Sequence, residues 1–537
     1  MKKRIFCCLL SLILLLPMVS AFAADDGPMS ESMIASIAAK VNGTKIIRLT
    51  EEPVTLTAWI RVDNNGATNL IESVNEMELL AIMEEKTGVR LELKPAPIGQ
   101  ELENFSLMLA SGNYPDIICN FNDFYKKGGD AAIEEGILID LNDLIEQYAP
   151  NYSAARKYSE ARQKATLTDA GQQPFFCSFN YQDEESVSAG GPIIRKDLLE
   201  KLQMDMPVTF DDLHDFLYAC VHTLGLKRAF GMNNDGMFKY NGFTPGFDFA
   251  LSWIPVYQKN GIIQYAPLTE EYKNYLTTMA AWYKEGLIDP DFPSTITFDD
   301  GLALATSGDC AVTADHGGLM TLFNSMGKEE NPDFEFTATL NPVLKEGDII
   351  HNYNPTGSLA NAICGISTKC SDPALAVAYL DQFYSDEGFL LCNYGTEGKT
   401  YEWKDGKPVF TDFVLHNEKG TNRDVLSAYA APTVWFYEVV ANRMADEATL
   451  ERAALWNSNV DNSCQFPSGV TLSSEENEIY SELYPEIQSY VKEMTVKFIT
   501  NLEPMENYDE FINNLHGLGI DDVIAAYQSA YDRYMAR

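Results

Sequence analysis

The sequence lacks the short motifs that mark the common enzyme chemistries. It contains no H-E-x-x-H, no G-x-S-x-G, no phosphate-binding P-loop and no dinucleotide-binding fingerprint. No two of its 6 histidines stand at helical ligand spacing, and its cysteines include no C-x-x-C pair. A glycosidase pair could be drawn from the 78 acidic residues, but so many carboxylates make any such pair uninformative. We therefore predict no catalytic residue, no metal site and no cofactor.

Basic residues are scarce. The chain has 39 Lys and Arg against 78 Asp and Glu, which gives a formal net charge of −39. A surface of this charge repels nucleic acid and anionic lipid, so both are excluded as partners. A hydrophobic share of 46% with 11% aromatics indicates a folded chain.

Long apolar runs are absent beyond the first residues. Basic residues at positions 2–4 precede the apolar run Ile5–Leu16, and Ala21–Ala23 supplies a small-x-small cleavage pattern. The run is short for a membrane span, so residues 1–23 are predicted to be a secretory signal peptide. We expect the mature chain to be exported and soluble.

Cysteine is present, but its spacing predicts no pairing. Cys7 and Cys8 lie in the signal peptide, and the others are scattered, at Cys119, Cys177, Cys220, Cys310, Cys364, Cys370, Cys392 and Cys464. Export permits disulfides, yet a chain this long does not require them, and buried cysteines also act as small apolar residues. Pairing cannot be deduced from the sequence alone.

Strand and helix patterns alternate along the first part of the mature chain. Val54–Ile60, Val89–Leu93 and Pro115–Cys119 have strand patterns, with helical patterns from Leu70 to Ala81 and over Glu101–Ala110. This β-α-β-α-β order predicts an α/β fold with a largely parallel sheet and helices on its faces.

The later chain is also predicted to alternate, and it ends in helices. Thr209 and Asp212 have the spacing of a capping box, and Glu270–Glu285 is amphipathic. The pattern predicts a long helix over Ser474–Thr500, interrupted by Pro485, and a final helix over Ile520–Met535. Without repeats or low-complexity linkers, one molecule of two interleaved α/β lobes fits best.

A series of short motifs runs along the chain: Leu80–Val89, Leu107–Ile118 with its small-Gly-x-x-Pro-Asp pattern, Gly136–Leu141, Ile194–Leu199, Pro207–Asp212, Gly286–Pro290, Gly308–Asp315 and Asn393–Gly398. In this order the motifs resemble those of the family-1 extracellular solute-binding proteins of carbohydrate ABC importers, the group that includes maltose-binding protein. Each motif alone is weak, but their order extends over nearly the whole mature chain.

The resemblance implies a periplasmic-binding-protein-like fold of two lobes, each a mainly parallel sheet flanked by helices, joined by a hinge of several strands. Lobe 1 is expected to comprise residues 51–184 plus 352–392, and lobe 2 residues 185–351 plus 393–537. The implied function is capture of a carbohydrate, most simply an oligosaccharide, by lobe closure and its delivery to an ABC-transporter permease. We expect a monomer.

The sequence departs from some relatives in two places. No cysteine stands directly after the apolar run of the signal peptide, so the lipid anchor that many relatives carry is not expected. Gly231–Gly236 is the nearest stretch to the calcium loop of some relatives, but it lacks the alternating oxygen donors, and it is interpreted as a turn.

Candidate ligand-binding residues are aromatic and polar side chains at strand ends and in the loops that follow. They are Trp59, Asn120, Asn122, Asp123, Trp253, Asp315, His316, Tyr353, Asn354, Tyr394, Glu397 and Trp435. For Trp59 and Trp253 a place in the core is the alternative, and for the others it is ordinary loop packing, a turn or a helix cap.

Two other functions stay open on the sequence alone. One is a secreted carbohydrate-active hydrolase, which product release from a polysaccharide would reveal. The other is a binding protein for a different solute, such as a peptide or a modified lipid. The identity, length and linkage of a sugar cannot be deduced from the sequence.

Overall fold

The structure is a computed structural model of the chain. It describes residues 44–62, 70–180, 190–239, 242–249, 256–295, 297–351, 360–404, 406–420, 422–430, 437–438, 451–452, 454–456, 458–467 and 469–537.

The strands and helices alternate through most of the chain. The strands are β1 (Val54–Ile60), β2 (Val89–Pro95), β3 (Ile117–Cys119), β4 (Phe176–Asn180), β5 (Gly190–Arg195), β6 (Val256–Lys259), β7 (Ile262–Tyr265), β8 (Val312–His316), β9 (Phe336–Ala338), β10 (Ala360–Ile366), β11 (Tyr401–Lys404), β12 (Lys407–Phe410) and β13 (Tyr437–Glu438). The helices are α1 (Glu78–Thr87), α2 (Glu101–Ser111), α3 (Phe121–Phe124), α4 (Gly128–Glu134), α5 (Asn142–Tyr148), α6 (Pro150–Arg156), α7 (Glu160–Thr166), α8 (Lys196–Leu202), α9 (Phe210–His222), α10 (Glu270–Lys284), α11 (Phe298–Thr306), α12 (Gly317–Glu330), α13 (Pro373–Asp381), α14 (Asp386–Tyr394), α15 (Asp412–Leu415), α16 (Asn422–Tyr429), α17 (Ser474–Ile499), α18 (Tyr508–Gly517) and α19 (Ile520–Ala536).

The first sheet has the strand order β13-β4-β10-β3-β1-β2. Strand β1 is parallel to β2 and to β3, as the β-α-β-α-β pattern predicted. Strand β10, from much later in the chain, runs antiparallel to both β3 and β4 in the middle of this sheet. The sheet is therefore completed only by a segment distant in sequence.

The second sheet has the order β8-β5-β9, and β5 is antiparallel to both neighbours. A mainly parallel sheet in each lobe is therefore correct around β1 to β3, but not for these three strands. Parallel pairing follows when two strands of one sheet are joined through a helix. Strand β5 enters instead from the other sheet, so local strand and helix alternation does not determine its direction.

The first helix begins later than the periodicity from Leu70 predicted. A short 3-10 turn occupies Val74–Glu76, and α1 begins at Glu78. Asn75 explains the difference, because its amide donates to the Leu93 carbonyl at 2.9 Å and accepts from the Leu93 N–H at 2.7 Å. These two bonds attach the turn to the end of β2 before the helix starts.

The capping box predicted for Thr209 and Asp212 is present at the start of α9. The Asp212 N–H donates to Thr209 Oγ1 at 3.1 Å, and the Thr209 N–H donates to Asp212 Oδ2 at 2.9 Å, which is the predicted capping box.

Pro485, expected to interrupt the long helix, lies inside a continuous α17. Buried residues on α17, including Tyr484 and Ile487, pack into the core and support the helix across the proline.

Two large hydrophobic cores define two lobes. The members of one core lie within residues 46–179 and 363–392, around the six-stranded sheet. The members of the other lie within residues 194–314 and 484–531, so the C-terminal helices complete the second lobe. The fold is a two-lobed α/β structure whose lobes interleave along the chain.

A smaller core lies beside the expected lobe boundary at residue 392. It joins Phe389 of α14 to Tyr401, Phe410 and Val425, with the half-buried Leu70 packed against it. Lys399 forms an ion pair with Glu78 at the start of α1. The described residues of this cluster therefore pack beside α14 and the start of α1.

An ion cluster connects the two lobes through the C-terminal helix. Asp169, which lies between α7 and β4, accepts from Arg533 Nε at 2.7 Å and from Arg537 Nε at 2.8 Å. Arg533 also binds Glu476 on α17, at 2.5 Å. Burial raises the pKa of Asp169, but the bonds to the two arginines lower the pKa by more than burial raises it. The pKa of Asp169 therefore lies below its ordinary value of 3.8. The charged carboxylate therefore stabilises the folded state.

We predict that Asp169→Asn lowers the melting temperature at neutral pH. Because the folded-state pKa is depressed, the contribution of the carboxylate is complete above about pH 5 and is lost as the pH falls below about 4. Thermal melts of both proteins from pH 7 to pH 3 should therefore converge toward acid pH. Glu200→Gln, at an exposed position of α8, is the control and should give a small difference at every pH. An Asp169→Asn difference that does not vary with pH would contradict the assignment.

Candidate functional site

Two strands of the first sheet end at the same edge and bring charged side chains together. Strand β1 ends at Ile60 and β3 at Cys119, and Trp59 pairs in register with Ile118. Immediately beyond these ends, Arg61 Nη1 lies 2.7 Å from Asp123 Oδ2. The two side chains are 32% and 42% exposed, so this ion pair is accessible to a ligand.

Asn120 turns the chain out of β3 and toward this pair. Its φ of 54° lies in the left-handed region, which asparagine tolerates better than most residues. Its N–H donates to the Ile363 carbonyl at 2.8 Å, and its carbonyl accepts from the Asp123 N–H at 3.1 Å. Asn122 is exposed in the short helix α3, which also contains Asp123. Asn120, Asn122 and Asp123 thus form one edge of the candidate site.

Trp59 belongs to the core, which removes it from the candidate ligand-binding set. It is 4% exposed, and its indole N–H donates to Asn104 Oδ1 at 2.8 Å. Its ring packs edge-on against Phe105 and Phe124, with centroid distances of 5.3 Å and 5.5 Å. Successive side chains of a strand point to opposite faces, and both faces are packed at the end of β1, because Ala58 and Ile60 are buried as well as Trp59.

The second lobe contributes an ion pair whose carboxylate is buried. Strand β8 extends through His316, so Asp315 and His316 lie inside the strand and not after it. Asp315 is 3% exposed, and its Oδ2 accepts from Lys239 Nζ at 2.8 Å. Its Oδ1 accepts from the His316 N–H at 2.8 Å. Pairing with an ammonium group and a backbone donor compensates for the burial of this carboxylate.

His316 has a structural role at the start of α12. Its Nδ1 accepts from the Leu319 N–H at 3.2 Å, which makes it the N-cap of the helix. Burial lowers the pKa of His316 more than the neighbouring Asp315 raises it, and Lys239 lowers it further. The imidazole is therefore neutral at pH 7, with its proton on Nε2.

A small cavity of about 30 Å³ lies beside the Lys239–Asp315 pair. Its polar lining includes Asn233, Lys239 and Asp315, and its apolar lining includes Leu304 and Phe323. A space of this size holds about one or two water molecules, so it marks a small recess beside the ion pair and does not by itself hold a sugar ring.

Strand connectivity places the two charged edges at the two ends of one short connection. Strand β4 ends at Asn180, and its register partners place that end beside the start of β10, at the edge where β1 and β3 end. The connection is residues 181–189, and β5 then begins at Gly190, whose register partner is His316. The Arg61–Asp123 pair and the Lys239–Asp315 pair therefore lie on the two edges that this connection joins.

The other predicted site residues fall elsewhere. Tyr394 is 3% exposed and packs against Phe410 at 5.3 Å, so it is a core residue of the small cluster beside α1. Glu397 is exposed next to that cluster. Trp253, Tyr353, Asn354 and Trp435 lie outside the described residues.

Sequence reasoning missed the two cations. Arg61 could have been found, because it directly follows the first strand and the strand-end rule applies to it as well as to Asn120. Lys239 had no local signal, since it meets Asp315 only through the fold. Among the residues that the structure describes, no cluster of three or more His, Cys, Asp or Glu could hold a metal ion, and no helix is long and apolar enough to cross a membrane.

Comparison with known proteins assigns the family. The sequence pattern of the bacterial extracellular solute-binding proteins matches residues 68–388, which is more than half of the chain. The chain belongs to this family of binding proteins.

Individual relatives are distant. Lipoprotein LipO of Bacillus subtilis is 23% identical over 363 residues, covering 63% of this chain and 66% of that protein. The polygalacturonan/rhamnogalacturonan-binding protein YtcQ of Bacillus subtilis is 21% identical over 469 residues, covering 84% of this chain and 87% of that protein. The solved structure of the Streptococcus pneumoniae ABC-transporter substrate binding protein FusA in complex with kestose is 18% identical, with a TM-score of 0.70 over 90% of this chain and 99% of that chain. This likeness confirms the two-lobed fold.

We predict that Trp59→Phe reduces the free energy of unfolding by about 1–3 kcal/mol, because it removes the bond to Asn104 and leaves space in a packed core. Urea denaturation followed by circular dichroism measures the change. Trp403→Phe, at a half-buried position of β11, is the matched control and should cost less. An unchanged urea midpoint for Trp59→Phe would contradict the core assignment.

Proposed function

We propose that this chain captures an oligosaccharide between its two lobes outside the cell and passes it to the membrane permease of an ABC importer. The observation that carries the proposal is the pair of charged groups on the two connected edges. Arg61 and Asp123 are bonded at 2.7 Å on the first edge, and Lys239 and Asp315 at 2.8 Å on the second.

The chemistry of these groups suits a polyhydroxyl ligand. A carboxylate accepts several hydrogen bonds, and a guanidinium donates up to five, so each keeps capacity beyond the ion pair. Sugar hydroxyls both donate and accept, and hydrogen bonds to charged groups are about twice as strong as neutral ones. The names of two relatives point the same way, since YtcQ binds polygalacturonan or rhamnogalacturonan and FusA is a fructooligosaccharide transporter component.

Binding is proposed to occur without turnover. Members of the family are binding proteins. A hydrolase would need a second carboxylate opposite each candidate, whereas Asp123 and Asp315 are each held by a cation. Incubation of the homogeneous protein with its ligand should return the ligand chemically unchanged, and catalytic cleavage would overturn this part of the proposal.

The packing of the small cluster supports a revised division of the chain. We place residues 51–184 and 352–438 in lobe 1, because β13 also pairs with β4 in the first sheet. Residues 185–351 and 439–537 form lobe 2. A ligand that contacts both edges interacts fully only when the lobes are shut, so it shifts the population toward the closed form that the permease would recognise.

The proposal is tested first by a thermal-shift screen against mono- and oligosaccharides, with a peptide panel beside it. A ligand that binds only the folded state raises the melting temperature by mass action. Small-angle X-ray scattering with the best ligand should then show a smaller radius of gyration. A hit among peptides alone would replace the sugar, and a constant radius of gyration at saturation would refute lobe closure.

We predict that Asp123→Asn and Asp315→Asn each weaken ligand binding by about 1.5–3 kcal/mol, the usual contribution of a hydrogen bond to a charged group. Isothermal titration calorimetry with the ligand from the screen measures the change. Asp333→Asn, at an exposed position of lobe 2, is the control and should bind like the wild type. Wild-type affinity in both site variants would show that the cleft lies elsewhere.

Trp253 and Trp435 remain candidates for stacking on the apolar faces of a sugar. Alanine at either position should weaken binding by about 1–3 kcal/mol. The same titrations include these variants, and thermal melts without ligand check that the fold is retained.

The exported protein is predicted to begin near Ala24 or Asp25 and to carry no lipid, because no cysteine follows the signal run. The similarity to lipoprotein LipO makes the alternative concrete. Intact-mass spectrometry of the secreted protein distinguishes the two. A diacylglycerol adduct, or an N-terminus at Met1, would contradict the prediction.

A further inference from the structure

Two buried cysteines face each other in the first sheet. Cys119 ends β3, Cys364 lies in β10, and the two are register partners in the antiparallel pairing of these strands. They are 1% and 0% exposed.

The backbone hydrogen bonds show which kind of cross-strand pair they form. The Asn120 N–H donates to the Ile363 carbonyl at 2.8 Å, and the Ser367 N–H donates to the Asp116 carbonyl at 2.9 Å. Hydrogen-bonded and non-hydrogen-bonded pairs alternate along antiparallel strands, so Cys119 and Cys364 form a non-hydrogen-bonded pair. In such pairs the Cα atoms are about 4.5 Å apart and the side chains are close, which lies within the range of natural disulfides.

The neighbouring cysteine does not compete for this position. Cys177 lies on β4, on the other side of β10, and its register partner is Ala362. Cys364 faces Phe176 on that strand. A hydrogen bond with Cys119, together with burial, raises the pKa of the Cys364 thiol, which agrees with direct contact between the two sulfurs.

We propose that Cys119 and Cys364 form a disulfide across β3 and β10 in the exported protein. Export places the chain where disulfides persist. The bond would join β3, which leads directly into Asn120 and Asp123, to β10, which pairs with both β3 and β4. It would hold one edge of the candidate site to this central strand, and it would close a long loop of the chain.

The oxidant is a disulfide, either of a small thiol or of a thiol-oxidising protein. Because both sulfurs are buried in the folded protein, we place the reaction during folding. One cysteine thiolate attacks the oxidant disulfide, forms a mixed disulfide and releases one oxidant thiol. The second cysteine thiolate attacks the mixed disulfide at the protein sulfur, forms the new S–S bond and releases the second oxidant thiol. Two electrons and the two cysteine protons are thereby transferred to the oxidant, which leaves as two thiols.

The test uses the full mature protein, unfolded in reductant and refolded with either a mixture of glutathione disulfide and glutathione or reductant alone. Remaining thiols are alkylated in denaturant, and peptides are mapped by mass spectrometry. We expect a linked peptide containing Cys119 and Cys364 only in the oxidised sample, with both sites alkylated in the reduced one. The oxidised protein should also melt at a higher temperature than the reduced protein.

Variants make the assignment specific. Cys119→Ala should abolish the link and the difference in melting temperature, whereas Cys177→Ala should retain both. If Cys119→Ala fails to fold, the wild-type peptide map still decides the question. Full alkylation of both cysteines in the folded, oxidised wild type, or a link from either to Cys177, would overturn the proposal.

Discussion

The insertion of β10 between β3 and β4 is the constraint on which the rest of the structure depends. This strand comes from residues 360–366, long after the other central strands, and it pairs antiparallel to both neighbours. A hydrogen-bonded strand in the middle of a sheet cannot leave without breaking two ladders. Most of the second lobe's first segment lies between β4 and β10 in the sequence. The first sheet is therefore complete only when residues 360–366 return to it and pair with β3 and β4.

That connectivity also determines where a binding site can lie. Strand β4 leaves the first sheet at the edge where β1 and β3 end, and β5 enters the second sheet beside Asp315 and His316. The charged groups of the two lobes are brought to the ends of one connection. Under the proposed function, a ligand between them would contact both lobes at once, which is the requirement for coupling binding to closure.

The strongly negative chain uses its few cations at defined positions. With 39 basic residues against 78 acidic ones, at least half of the carboxylates cannot each have a basic residue of their own. Arg61, Lys239, Arg533 and Arg537 are nevertheless each held by an aspartate, at the two candidate edges and at the contact between lobes. Net charge thus describes the surface as a whole, while the local field at these places is set by individual pairs.

Features that depend on interactions between residues close in the chain could be predicted from the sequence alone. The alternation of Val54–Ile60, the capping box of Thr209 and Asp212, and the ordered family motifs predicted strands, helix starts and the fold class. The strand-end rule also placed Asn120 and Asp123 at an edge of the first sheet, because a parallel pair of strands ends on one side.

Contacts between residues far apart in the chain are seen only in the tertiary structure. Trp59 is a core residue because Asn104, Phe105 and Phe124 pack against it, and the period-2 pattern alone does not say that both faces of the strand are buried there. Other features likewise depend on residues far apart in the chain. They are the direction of β5, the ion pair of Lys239 with Asp315 and the cross-strand pair of Cys119 with Cys364. Local propensity carries no information on such contacts, since they form only when the sheet register and the lobe packing are both complete.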